Sequence, residues 1–178
     1  QCCDGNQTRI IPSVYDAFFY QTFDVTEYVH SGRNALGALL AEGLKAAPYL
    51  IKPNDDELSR LAGKKLETIE ELTAEGQKLL ESGIERVVIS LGGRGALYLR
   101  KGSTIYAEGL KVPVGSTVGA GDSVVAALAY AESQDMSEED AVRLSTATGA
   151  ANVMCSGTQA AERSVIEELL PKVRFSKL

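Results

Sequence analysis

The residues best suited to chemistry lie in the run Val118-Gly119-Ala120-Gly121-Asp122-Ser123, where small residues lead directly into an apolar stretch. Two glycines around an alanine let the backbone come close to a ligand. A helix is predicted to follow over Ser123–Glu132, and the free N–H groups at a helix start, together with the helix dipole, favour an anion. A transferring phosphoryl group is such an anion. Asp122 then stands out, because a carboxylate beside an anion site repels the ligand unless it has a task. Taking the proton from an attacking hydroxyl is such a task. Taken alone, the run is read more simply as a Gly-rich turn with Asp122 as a solvated helix cap.

Three other segments could contribute. Lys52-Pro53-Asn54-Asp55-Asp56-Glu57-Leu58 follows a short apolar strand, Tyr49-Leu50-Ile51, and so falls at the carboxyl edge of a sheet, where α/β proteins bind ligands. Asn54 and Glu57, three apart at a helix start, could orient magnesium-bound water and phosphate oxygens, or could simply form a capping box. Ile89-Ser90-Leu91-Gly92-Gly93-Arg94-Gly95-Ala96 also begins at a strand end. Its glycines allow a flat turn against a base or phosphate and Arg94 could reach phosphate, although a plain hairpin turn with a solvated arginine accounts for the same residues. Ala150-Ala151-Asn152-Val153 falls inside a predicted helix, where Asn152 either meets a ligand edge or rims a close-packed helix interface. His30 is the only histidine and has no nucleophile elbow near it. Cys2, Cys3 and Cys155 show neither disulfide nor zinc spacing.

The elements that must position these residues are legible from Ser31 onward. Helices are predicted over Asn34–Lys45 (Leu36, Leu39, Leu40 and Leu44 on one face), Asn54 to about Leu61 with Gly63 stopping it, and Thr68–Ser82 closed by Gly83. Later helices are predicted from Ser137, with Asp140 as capping partner, to about Met154, and over Ser164–Val173. Strands are predicted over Arg86–Leu91, whose apolar run suits burial on both faces, over Ala96–Arg100, and over Thr104–Ala107 as a returning hairpin. Alternation of strands and helices indicates an α/β sandwich with a mainly parallel sheet. Residues 1–30 differ: they hold the cluster Tyr15, Phe18, Phe19 and Tyr20 and show no period of 2 or 3.6.

The chain has 178 residues, a net charge of −6, 44% hydrophobic and 24% charged residues, values that suit one packed domain. The sequence pI is about 4.9. An acidic chain without a Lys/Arg run is a poor partner for nucleic acid or anionic membrane. No apolar run approaches the roughly 20 residues of a spanning helix, and no secretory signal is seen. A reduced, cytoplasmic setting is expected.

Each motif alone is unspecific, but their joint order is not. A strand followed by Lys-Pro-Asn-x-x-Glu, a strand followed by Ser-Leu-Gly-x-x-Gly-Ala, and then Ser-Thr-Val-Gly-Ala-Gly-Asp-Ser resemble the ribokinase-like phosphofructokinase B family of carbohydrate kinases. The 1-phosphofructokinase and tagatose-6-phosphate kinase branch is most similar, and within it the stretches Leu61–Leu66 and Ser116–Ser123 resemble 1-phosphofructokinase. The resemblance covers Ser31 to the last residue and implies a three-layer αβα sandwich. It implies ATP and magnesium as cofactors and transfer of the ATP γ-phosphoryl group to a sugar phosphate, fructose 1-phosphate giving fructose 1,6-bisphosphate. Asp122 would be the base and Gly119, Ala120 and Gly121 the anion hole. Lys52, Asn54, Ser90, Gly92, Gly95 and Asn152 would bind the nucleotide, with Asn54 and Glu57 organising the metal. A tagatose-6-phosphate or 6-phosphofructokinase-type kinase, or a nucleotide-binding fragment without turnover, remain alternatives. Ser116 stands where many members have Asp, so no monovalent-cation dependence is expected. The family's first half, with its sugar-phosphate contacts and lid, is expected to be missing. A half sheet leaves an apolar edge, which residues 1–30 are expected to cover unless the chain self-associates.

Overall fold

The computed structural model describes residues 43–45, 47–157 and 159–178. The chain divides into two compact units, Gln1–Ala46 and Ala47–Leu178. In the first, Gly43 and Leu44 are helical, the end of the helix expected from Asn34. The rest of that helix, the leader 1–30 with His30, Cys2, Cys3 and its aromatic cluster, and the expected cover for the sheet edge lie outside the described residues.

The second unit runs β1 (Leu50–Ile51), α1 (Asp55–Ala62), α2 (Ile69–Glu81), β2 (Arg86–Ser90), β3 (Gly95–Arg100), β4 (Ser103–Glu108), α3 (Ala120–Ser133), α4 (Glu138–Met154), α5 (Arg163–Leu169) and β5 (Phe175–Lys177). The strands form one sheet in the order β1-β2-β3-β4-β5. β1 and β2 are parallel, with Leu50 opposite Arg86, and the other three pairings are antiparallel. The described sheet is therefore mixed rather than mainly parallel. The turn Gly92–Arg94 and the link at Lys101–Gly102 are too short for a crossover, so the chain can only fold back on itself there.

Alternation along the strands sorts the core into layers. Val88, Tyr98 and Ile105 face α3 and α4 through Leu128, Ala131, Ala141 and Val142. Val87, Ile89, Leu97 and Leu99, also buried, take the opposite parity. Gly76 of α2 packs there so closely that a Cβ would sit 2.9 Å from Leu99 Cδ2 and 3.2 Å from Ile89 Cδ1. Helices on both faces give the αβα sandwich. The Tyr98 hydroxyl lies 3.0 Å from Thr146 Oγ1 and accepts from Ser145 Oγ at 3.1 Å, pinning α4 to the sheet.

The capping residues work as the sequence indicates. Asn54 with Glu57 and Thr68 with Glu71 form full capping boxes, and Gly63 ends α1 at φ 68°. Ser137 Oγ accepts the Asp140 N–H. Two expectations are corrected and one element, β5, was not foreseen. α3 starts at Ala120 and not at Ser123, so Asp122 lies in its first turn and Gly119, with no side-chain cap, precedes it. α5 stops at Leu169, because Pro171 converts the continuation into a 3-10 turn over Leu170–Lys172. β5, too short to show a period, pairs with β4, and Arg143 stacks 4.7 Å from the centre of its Phe175 ring.

Candidate active site

β1 and β2 run parallel, so their carboxyl ends emerge together. The Ser90 N–H donates to Pro53 O at 3.0 Å and Asn54 bridges to Ser90, which brings the Lys52–Asn54 and Ser90–Gly92 segments side by side. Lys52 reaches from this edge to the start of α3. A Cβ on Gly121 would lie 2.8 Å from Lys52 Nζ and 2.9 Å from its Cε, so the ammonium rests on the backbone that glycine leaves bare.

The start of α3 is open to a ligand. Gly119 takes φ 83°, a left-handed conformation cheap only for glycine. The Ala120 N–H reaches Thr117 O at a long 3.4 Å, and among the described residues the Gly121 and Asp122 N–H groups meet no acceptor. Unpaired N–H groups, the dipole of a 14-residue helix and the Lys52 ammonium therefore converge. The exposed Asp122 stands in that same turn.

The other expected residues divide. Asn54 Oδ1 accepts the Glu57 N–H at 2.7 Å, and Glu57 Oε2 accepts the Asn54 N–H at 2.9 Å, so the pair engages itself as a capping box. Among the described residues no group of three or more His, Cys, Asp or Glu side chains is placed to hold a metal ion. Magnesium carried by a nucleotide keeps several waters and needs only one or two carboxylates. Glu57 fits that need through Oε1, which no described group engages, while Asn54 holds Glu57 in place. Gly92 lies beside open space. Gly95 is glycine for another reason: at φ 109° its Cβ would lie 2.0 Å from Ala107 O, so the β3–β4 pairing itself demands it. Arg94 does not stand free for phosphate; it pairs with Asp55 Oδ2 at 2.6 Å, an interaction the sequence did not reveal because the partners are far apart in the chain.

Asn152 is the least expected. It is 5% exposed, its Nδ2 donates to Gln159 O at 3.1 Å, and its Oδ1 is buried without a partner. That oxygen is closed off from solvent, the burial expected of a residue at a close-packed helix interface. A Cβ on Gly119 would lie 3.6 Å from it. Such an orphaned amide oxygen costs about 1–3 kcal/mol. The loop before Gly119 docks on the same stretch of α4, the Gly115 and Ser116 N–H groups donating to Val153 O at 2.8 and 3.1 Å. The Ser116 hydroxyl accepts the Val118 N–H at 3.2 Å.

The profile of the pfkB family of carbohydrate kinases matches residues 22–164. The chain is 39% identical over 141 residues to 1-phosphofructokinase from Vibrio cholerae, covering 79% of this chain and 44% of that protein. It is 41% identical over 143 residues to 1-phosphofructokinase from Escherichia coli K12, covering 80% and 45%. The solved structure of phosphofructokinase-2 from Escherichia coli in complex with substrates and products matches with a TM-score of 0.71 and 33% identity, over 76% of this chain and 45% of that one. The chain thus spans a little under half the length of the relatives it matches.

Proposed function

Because the chain belongs to the pfkB family of carbohydrate kinases, we propose that residues 31–178 hold the nucleotide-phosphate and catalytic part of a 1-phosphofructokinase-type enzyme. The bare start of α3, with Lys52 laid across Gly121, is the observation that carries this proposal. Polyphosphate settles on the Gly119–Gly121 backbone and the Lys52 ammonium. The Asp122 carboxylate takes the proton from the 6-hydroxyl of fructose 1-phosphate. The freed oxygen bonds to the γ-phosphorus as the bond to the β-phosphate oxygen breaks, and ADP and fructose 1,6-bisphosphate leave. Glu57, held by Asn54, would face a magnesium ion carried by the nucleotide, which would supply neutralisation of the charge on the phosphate oxygens. The relatives' name supports the choice of sugar phosphate. The setting that suits these substrates is the cytoplasm, and no helix among the described residues is long and apolar enough to cross a membrane.

Catalysis requires both substrates to be held in line, and the named residues serve the nucleotide and the transfer. Nucleotide binding and turnover are therefore separate measurements. Calorimetry of Mg-ATP with the full chain should give saturable binding. A coupled ADP assay with fructose 1-phosphate then tests turnover, and Asp122→Asn should lower any turnover about 10²–10⁴-fold with ATP affinity unchanged. Binding without turnover would favour a nucleotide-binding fragment. No binding of Mg-ATP would overturn the proposal.

A further inference from the structure

One side chain lies behind the Gly119 turn with an unmet need. Asn152 is fully packed in α4, one amide hydrogen engaged by Gln159 O, its Oδ1 unpartnered beside Gly119. Asparagine is a poor choice for a buried helix position whose oxygen finds no donor, since an apolar residue of the same shape would avoid the penalty. The neighbourhood is otherwise tightly built. A Cβ on Gly149, one turn earlier, would lie 2.7 Å from Val124 Cγ2 of α3, and one on Gly115 would lie 2.5 Å from Cys155 O. Helix α4 and the α3 start therefore form one packed body, and Asn152 is the buried polar side chain of α4 that lies beside the turn.

We propose that Asn152 is a positioning residue for the phosphate-binding turn: its Oδ1 takes up the Gly119 N–H when the turn closes on a polyphosphate, which leaves the Gly121 and Asp122 N–H groups aimed at the anion. Gly119 N–H is suited to this because it meets no acceptor among the described residues. The amide nitrogen couples the same movement to the Gln159 segment. Asn152 acts through the backbone and touches neither base nor phosphate. The inference rests on the nucleotide-kinase proposal above, and its test separates the two.

The experiment compares the full chain with Asn152→Leu and Asn152→Ser, measuring affinity for ATP, inorganic tripolyphosphate and AMP by NMR titration, and the melting temperature of each variant. Leucine keeps the volume, and removing the orphaned oxygen offsets the loss of the Nδ2 bond to Gln159 O, so Asn152→Leu should melt within a few degrees of the wild type. Its affinity for ATP and tripolyphosphate should fall about tenfold, the worth of one lost backbone hydrogen bond, while AMP binding stays unchanged. Asn152→Ser, too short to reach the turn, should show the same selective loss. Unchanged tripolyphosphate affinity in both variants, or an equal loss for AMP, would overturn the inference while leaving the kinase proposal standing. Failure of the wild-type chain to bind either polyphosphate would overturn both.

Discussion

Gly95 and Gly121 both flank the proposed nucleotide site, and the structure requires them for different reasons. A side chain at Gly95 meets a backbone carbonyl, Ala107 O, at 2.0 Å and has φ 109° to contend with. Neither obstacle can move without breaking the β3–β4 ladder. Gly95→Ala should therefore cost at least about 2–3 kcal/mol, read as a lower denaturation midpoint. A side chain at Gly121 meets only the tip of a lysine, which can swing aside. Gly121→Ala should leave the melting temperature nearly unchanged and weaken Mg-ATP binding, as should Lys52→Met. The sequence marked both glycines as candidates and could not separate them, because the approach of Ala107 O and of the Lys52 tip depends on pairing register and side-chain reach. Asp122 drew attention in the sequence because a carboxylate beside an anion site needs a reason, and the structure places it exposed in the first turn of α3. The buried oxygen of Asn152 was not legible, since burial depends on how α3 and α4 pack.

At the scale of elements, capping chemistry was the most readable signal. Asn54 and Glu57 satisfy each other's backbone, so Asn54→Ala should destabilise the unit by about 1–2 kcal/mol in chemical denaturation. The N-cap of α2 adds a pH signature. Backbone N–H groups of Glu67 and Thr68 donate to Glu71 and hold its carboxyl below the ordinary value of 4.5. A lowered folded-state pKa gives stability that is present above the ordinary carboxylate range and is lost as pH falls through the lowered value. Glu71→Gln should flatten that part of an acid melting curve and leave the rest unchanged. What the sequence missed at this scale has local causes. Gly119 and Ala120 carry no polar cap signal, so the true start of α3 was hidden, and the three residues of β5 are too few to show alternation. The row of ion pairs Arg86–Glu132, Arg100–Glu138 and Lys177–Glu139, which clamps strand ends to α3 and α4, joins residues far apart in sequence. These pairs are partly exposed and each contributes at most about 1 kcal/mol.

For the whole molecule, the order of motifs along the chain carried the fold class, because two of them follow the parallel strands β1 and β2, whose carboxyl ends emerge at one edge of the sheet, and a third opens a helix. Strand direction did not follow from that order: the hairpins at Gly92–Arg94 and Gly102 turn most of the described sheet antiparallel. Ligand linkage tests the unit as a whole. Mg-ATP at about 100 times its Kd should add about 2.7 kcal/mol to stability, seen as a rise in melting temperature that AMP at equal concentration does not match. α1, α2 and α4 begin with side chains that accept their first-turn N–H groups, whereas α3 leaves its own to solvent. In deuterium exchange, the amides of Gly121 and Asp122 should therefore label at the rate of an unprotected peptide, and slow only when polyphosphate is present. A single pair of amides would then report occupancy of the site without any need for turnover.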